Sequence, residues 1–452
     1  MKLTLKRMKK IAFIILLCIV HKTFFAQISY DEILSSQLNT TRQLKIKLPK
    51  DYDEYSEVRY PLIIVFDGDY LFEPIAGQVD FQTYFDDMPS SIIVGIVQGN
   101  ERRYDGYCDE VTGLPKESGI RFHNFVATEL IPYLDNKYNT SEFTVAVGHD
   151  LMGNFINSYL FKENPLFNAY VCISPDLSGT VRDYLAQRLE MNSGEIFYYM
   201  ATSDKDLPYI REAVLNVNAK ISEVNNQNLT YYFDEFKNET HYTLVTSAIA
   251  RSFDKIFELY KPLREKELEE KVLPYEHSLD KYLIERYERI EDLFGIKKPI
   301  PEEEFEKMAK IADERGDVES YKGLASLAKK EDPNAMLGLY YSGVYAAKND
   351  NKTRALKYFE EALQLNEGEI ITADLIVEKM ENLAAMVAEE EAKVEEEKAQ
   401  KRAEKEAEKE AKRIEKEQEK AEKEKERIEK EAEKQKAKEA KEEKEETENE
   451  ND

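Results

Sequence analysis

The sequence predicts an α/β fold, a mostly parallel sheet flanked by helices, followed by all-helical segments. Three observations carry this. Between about residues 30 and 260, short apolar β-rich runs alternate with longer helical stretches. The middle runs are continuously apolar, as strands buried on both faces require. Beyond about residue 285 strand signals cease and helical patterning takes over.

The N-terminus comes first. Lys2, Lys6, Arg7, Lys9 and Lys10 precede the apolar run IAFIILLCIV at 11–20, and small Ala26 offers a cleavage point, the pattern of a signal peptide over 1–26. Ten apolar residues are too few to span a bilayer. The expectation is an exported chain, periplasmic or secreted, with no transmembrane segment after cleavage. Cys108 and Cys172 then remain, enough for one disulfide but not a framework. The formal charge of -26 argues against a nucleic-acid or anionic-membrane partner.

The expected sheet domain spans 30–265. Its strand candidates are RQLKIKL (42–48), PLIIVFDG (61–68), SIIVGIV (91–97), FTVAVGH (143–149), AYVCISP (169–175), IFYYMAT (196–202) and LTYYFDEF (229–236). Helical stretches such as FHNFVATELIPYLDNKY and MGNFINSYLF lie between several of them. In such sheets ligands sit at the carboxyl ends of the strands. Asp67, Asp150 and Asp204 fall at or just after such ends.

Residues 285–387 read as paired helices. GVYAAKNDNKTRALKYFEEALQLNE (343–367) fits the second half of a tetratricopeptide repeat, with Gly343 and Ala347 on one helix and Ala355, Phe359 and Ala362 on the next. A generic helical hairpin is the competing reading. One repeat cannot bury its own apolar face, so the helices EEEFEKMAKIADER and VESYKGLASLAKK are expected to pack on it. The tail, 391–452, holds 24 Glu and one Asp against 19 Lys plus Arg. Glu and Lys recur three and four residues apart, which supports helix. Only Val394, Ile414 and Ile428 are large and apolar, too few for a sustained coiled-coil seam. A solvated single helix is favoured over oligomerisation or disorder. The helical unit and charged tail together suggest a protein partner.

The sheet segments YPLIIVFDGDYLF (60–72), ERRYDGY (101–107), FVATELIPYLDNKYNT (125–140), AVGHDLMGNF (146–155), NAYVCISPDL (168–177) and NETHYTL (238–244) together resemble the esterases related to enterochelin esterase and esterase D. The resemblance covers roughly 40–265 and implies an α/β-hydrolase sheet with helices on both faces. It places the nucleophile elbow at Gly148–Gly153, an acid after the YYMATS strand and the catalytic histidine in a late loop. Asp204 matches the acid, with Asp206 as rival, and His241 matches the histidine. The backbone of Leu151 and of Gly68 would form the oxyanion pocket. Arg102, Arg103 and Asp105 resemble a loop bracing the pocket, for which Arg103 and Asp105 are the expected residues. A solvated loop pair is the alternative there, and an ordinary turn residue the alternative for Asp67.

The elbow departs from the family pattern. Asp150 stands where serine is the nucleophile, and Met152 where a glycine keeps strand and helix from clashing. A carboxylate already carries the charge that the reaction must develop, so serine-type acyl transfer is disfavoured. Aspartate nucleophiles do occur in enzymes resembling haloalkane dehalogenases and epoxide hydrolases. This chain, however, has no tryptophan to hold a halide, and 176–195 is too short for a cap. No HExxH or close Cys/His set suggests a metal, and glycine-rich nucleotide fingerprints are absent, so no cofactor is expected. The expectation is an exported, catalytically degenerate binding or scaffolding protein with a small-molecule pocket. The alternative is an active hydrolase, cleaving carboxylic esters or using Asp150 as nucleophile, with His241 and Asp204.

Overall fold

The computed structural model describes residues 28–448, so the leader expected at 1–26 lies outside the described residues. The chain divides into two compact units, one reaching Gly323 and the other starting at Leu324.

The first unit is built on one eight-stranded sheet: β1 (Ser29–Ser35), β2 (Thr40–Lys47), β3 (Tyr60–Val65), β4 (Ile92–Ile96), β5 (Thr140–His149), β6 (Ala169–Ile173), β7 (Ile196–Lys205) and β8 (Leu229–Thr240). Their spatial order is β1-β2-β4-β3-β5-β6-β7-β8. β1 pairs with β2 and β2 with β4 in antiparallel fashion, and every later pairing is parallel. From β3 the chain steps to β4 on one side and then crosses to β5 on the other. The carboxyl ends of β3 and β5 therefore flank a topological switch point, where open α/β sheets place their ligands.

The continuously apolar runs account for the double coverage. In β3, Leu62, Ile63, Ile64 and Val65 are all fully buried. Successive residues face opposite sides of the sheet, and Leu62 and Ile64 join a core containing Phe122, Phe155, Val181 and Val214. These come from α2 (Ser118–Phe125), α3 (Leu151–Phe155), α4 (Gly179–Met191) and α5 (Pro208–Ile221). The opposite face is covered by α1 (Phe72–Tyr84) and α6 (Leu244–Ile256).

Two features differ from the sequence expectation. β1 is an added antiparallel edge strand, with polar and half-exposed residues that do not read as a buried run. Helix α7 (Leu279–Phe294), assigned in part to the repeat region from its lack of strand signal, packs on the sheet. Its Phe294 ring lies 5.0 Å from Phe143 of β5 and 5.3 Å from Phe257. Full burial of one such ring contributes about 1.5–3 kcal/mol to docking. Helix α8 (Glu302–Arg315) follows within the same unit. Cys108 and Cys172 are both free thiols.

In the second unit α9 (Met336–Lys348) and α10 (Lys352–Ala362) form an antiparallel hairpin. Asn351 caps α10 by accepting from the Arg354 N–H at 3.2 Å. Gly343 permits the close crossing, because a Cβ there would sit 2.4 Å from the Phe359 ring. Then α11 runs unbroken from Ala373 to Glu448. Its early residues Ile376 and Leu383 are buried, whereas Val394, Ile414 and Ile428 are exposed. Pairs such as Glu408–Lys412 and Glu419–Lys423, at 2.6 and 2.7 Å, supply the four-residue spacing that supports a solvated helix. Among the described residues no helix is long and apolar enough to cross a membrane.

Candidate active site

The site forms where β3, β5, β7 and β8 end. Asp150 follows β5 directly and adopts φ 55°, ψ -119°, a conformation that L-residues rarely hold. Its N–H donates to Ile173 O at 3.1 Å, and its carbonyl accepts from Asn154 N and Asp176 N, each at 3.1 Å. This is the sharp strand-to-helix turn that presents a side chain above the sheet. The crossing is kept open by Gly148, where a Cβ would lie 2.6 Å from Met152 O.

Met152 does not fill that crossing, which corrects the expectation drawn from its position. Its side chain is fully buried in the core, with its sulfur 3.9 Å from Gln98 Nε2. Its methyl group faces Gly106, where an added Cβ would lie 2.9 Å away. The motif is thus altered in composition while the turn geometry is preserved.

Arg102, in the short helical turn Arg102–Asp105 after β4, organises the charges. It grips Asp67, just past β3, through Nε to Oδ1 and through Nη2 to Oδ2 at 3.0 Å. Its Nη1 reaches Asp150 Oδ2 at 3.4 Å, and Nη2 also donates to His149 O at 3.2 Å. The Asp67 side chain is wholly buried, and its N–H donates to Gln98 Oε1 at 2.9 Å. Burial raises the Asp67 pKa, and Arg102 works against that rise. Arg102, rather than the expected Arg103, is the arginine of the site, because Arg103 points outward and is exposed. Asp105 lies in the layer beneath. It is held by Arg42 Nη2 at 2.9 Å and Gln98 Nε2 at 3.1 Å, with burial pushing its pKa up to about 6 against those two partners.

His241 follows β8 and lies under the mouth. Its Nδ1 is 2.8 Å from Asp206 Oδ1 and 2.9 Å from Ser174 Oγ. Ser174 Oγ donates to Asp206 Oδ2 at 2.6 Å, as do Thr202 Oγ1 and the Leu207 N–H to that carboxylate, both at 2.8 Å. Burial alone would raise the Asp206 pKa, but these bonds hold it below the usual carboxylate value. The carboxylate paired with His241 is therefore Asp206, not Asp204. Asp204 is exposed and accepts from the Asn238 N–H at 2.7 Å. With Nδ1–H turned to Asp206, Nε2 is the free basic nitrogen. Ser174 is not placed as a nucleophile, because it is fully buried and contacts the ring at Nδ1.

Of the two expected oxyanion donors, Gly68 is corrected: its N–H is committed to Ile96 O at 3.0 Å. Leu151 opens α3, and a first helical residue has no intrahelical partner for its N–H. The residues not singled out from sequence are Tyr70, His149 and Asp176. His149 Nε2 donates to His241 O at 3.1 Å and Nδ1 faces Tyr70 OH at 3.0 Å. Burial, reinforced by His241, lowers its pKa to about 4, so it is neutral at pH 7. Asp176, half-buried beside the elbow, has its pKa raised by burial and by Asp150. Their signal in the sequence is adjacency to strand ends. Among the described residues no group of His, Cys, Asp and Glu is arranged to hold a metal ion.

This strand order, with an elbow after β5 and a histidine after β8, defines an α/β-hydrolase fold. Residues 35–242 match the family described as "Putative esterase", in keeping with the α/β-hydrolase fold of that segment. An uncharacterised protein from Capnocytophaga ochracea DSM 7271 is 26% identical, with a TM-score of 0.71 over 79% of this chain and 100% of that one. An IroE-like serine hydrolase from Shewanella oneidensis is 21% identical, with a TM-score of 0.52 over 67% of this chain and 99% of that one, a likeness of fold alone. No curated protein matches.

Proposed function

We propose that this protein is an exported, esterase-fold binding or scaffolding module whose crevice receives a small molecule and no longer performs serine-type acyl transfer. The observation that carries this reading is the ion pair between Asp150, at the elbow, and Arg102. A carboxylate there repels the oxyanion that ester attack must form, and its acyl product would be a reactive mixed anhydride. Arg102 Nη1, 3.4 Å from Asp150 Oδ2, ties that carboxylate to the charge network of the site. The helical hairpin, read as tetratricopeptide-like, and the charged tail are the segments proposed to engage a protein partner. The basic and then apolar N-terminal sequence, read as a signal peptide over 1–26, is what supports export.

The His241–Asp206 pair supports the second reading, an active hydrolase with Asp150 as nucleophile and His241 activating water. Turnover by the full chain of a short-chain nitrophenyl ester, together with a primary haloalkane and an aryl epoxide as substrates for a carboxylate nucleophile, separates the two. The native chain is expected to be silent, Asp150→Ser to gain turnover, and Asp150→Ser with His241→Ala to lose it. In the Asp150→Ser background, Asp206→Asn should cut the rate while Asp204→Asn leaves it unchanged. Native turnover abolished by His241→Ala would overturn the binding-module reading.

A further inference from the structure

The crevice offers acceptors and aromatic faces. Asp176 is half-buried, and its carboxylate has no hydrogen-bond or ion-pair partner among the described residues. Its N–H bonds to Asp150 O, so the two acidic side chains leave neighbouring backbone. The Asp150 side chain is 28% exposed. Arg102 faces Asp67 and Asp150 and spends four of its five N–H groups on Asp67, Asp150 and His149 O. It offsets part of the charge and makes no bond to Asp176.

A second, independent observation comes from His241. The residue is only 6% exposed. Asp206 and Ser174 hold Nδ1, and Nε2, on the opposite ring edge, has no partner among the described residues. Because Nδ1 carries the proton toward a carboxylate, Nε2 presents a lone pair. Asp150, Asp176 and His241 thus all present acceptors.

Three tyrosines rim this set. Tyr242, 78% exposed, lies with its ring centroid 5.1 Å from that of His241, and Tyr70, 44% exposed, lies 6.0 Å from His149. Tyr209, 59% exposed, feels the charges of Asp176, Asp150 and Asp206, which places its phenol at the same mouth. Aromatic faces beside carboxylates attract a cation and cover the apolar group attached to it.

We infer that the crevice binds a primary ammonium carried on an apolar stem, its N–H donors shared among Asp150, Asp176 and His241 Nε2 and its stem lying against Tyr70, Tyr209 and Tyr242. An ammonium brings three donors and no acceptor, the complement of this lining. A neutral alcohol satisfies the lining poorly, and a trimethylated ammonium brings charge without donors. This rests on the binding-module reading of the same crevice.

The test is ligand-observed NMR titration of the full chain with 2-phenylethylammonium, its N,N,N-trimethyl analogue and 2-phenylethanol at pH 7 and low salt. The expected order is primary ammonium tightest, by tenfold or more over the alcohol and severalfold over the trimethyl analogue. Asp176→Asn should weaken the primary ammonium at least fivefold with little change for the alcohol, and Tyr209→Ala should weaken both amines. Equal binding of ammonium and alcohol, no binding, or an Asp176→Asn variant that binds like the native chain would each overturn the inference. Near-ultraviolet circular dichroism confirms that the variants are folded. Ester turnover is measured separately, so failure of amine binding and failure of the binding-module reading are distinguishable.

Discussion

Replacing Arg102 by methionine tests how the elbow charge is accommodated. The substitution keeps an unbranched apolar stem and removes the bonds that Arg102 makes to Asp67, Asp150 and His149 O, leaving the Tyr70 hydroxyl on Asp67 Oδ2 at 3.1 Å. Its largest consequence falls on Asp67, whose side chain is fully buried and would lose its cation. Breaking a buried pair by deleting one partner costs about 3–5 kcal/mol. Arg102 is itself 26% exposed, so about 3 kcal/mol is the better figure. For a unit that reaches from residue 28 to Gly323, nearly 300 residues, that is a fall in Tm of roughly 5 °C. The double change Asp67→Asn with Arg102→Met removes the stranded charge and should recover at least half of it. The sign of the pH dependence also follows. Without Arg102, the folded-state pKa of Asp67 rises further above its unfolded value, so the folded variant binds a proton that the unfolded chain lacks. The deficit relative to the native chain should therefore shrink as pH falls from 7 toward 5. Near-ultraviolet tyrosine dichroism is the suitable probe, because the chain has 28 tyrosines and α11 contains none. A single-variant cost below about 1 kcal/mol, a double variant no better than the single, or a deficit flat with pH would refute the reasoning.

Two further outcomes follow from buried groups. Burial lowers His123 and His149 to about 4 from an ordinary value near 6.5, so the unfolded chain binds protons in that window that the folded chain refuses. Stability is fully present above 6.5 and declines as pH falls toward 4, by up to about 3 kcal/mol per histidine. His123→Phe, which can keep the stack on Tyr159, should be measurably less acid-sensitive in denaturant titrations at pH 7 and 4.5, and equal slopes would count against this. At the elbow, Met152→Ala should cost about 2–5 kcal/mol by cavity formation and leave the turn intact. Gly148→Ala forces a Cβ against the Met152 carbonyl and should yield little folded protein, so a soluble, native-like Gly148→Ala would contradict the described crossing.

The sheet was legible because its inner strands bury both faces and so must be continuously apolar. The edge strand β1 was not, since one strand neighbour and partial exposure leave it free to alternate with charge. The sequence likewise indicated which segments arrive at the crevice, but not which of two neighbouring side chains turns inward. Asp204 and Asp206 differ by two positions at the fraying end of β7, where the register with β8 shifts between Ser203 and Lys205. Arg102 and Arg103 differ by one position on a single turn of helix. In each case the choice is made by tertiary partners, Ser174 and His241 for the acid and Asp67 for the arginine.

The two departures at the elbow bear on what kind of site this is. A serine site disabled by chance would carry its new residue without compensation: an aspartate facing no cation, a methionine forced into the strand–helix crossing. Here Asp150 and Met152 each have a counterpart elsewhere in the chain. Arg102, already bound to Asp67, extends its remaining donor group toward Asp150, and Gly106 leaves room for the Met152 methyl while the rest of that side chain fills the core. Such fitting costs stability to break, and it is what the proposed binding module requires of an elbow that carries a carboxylate.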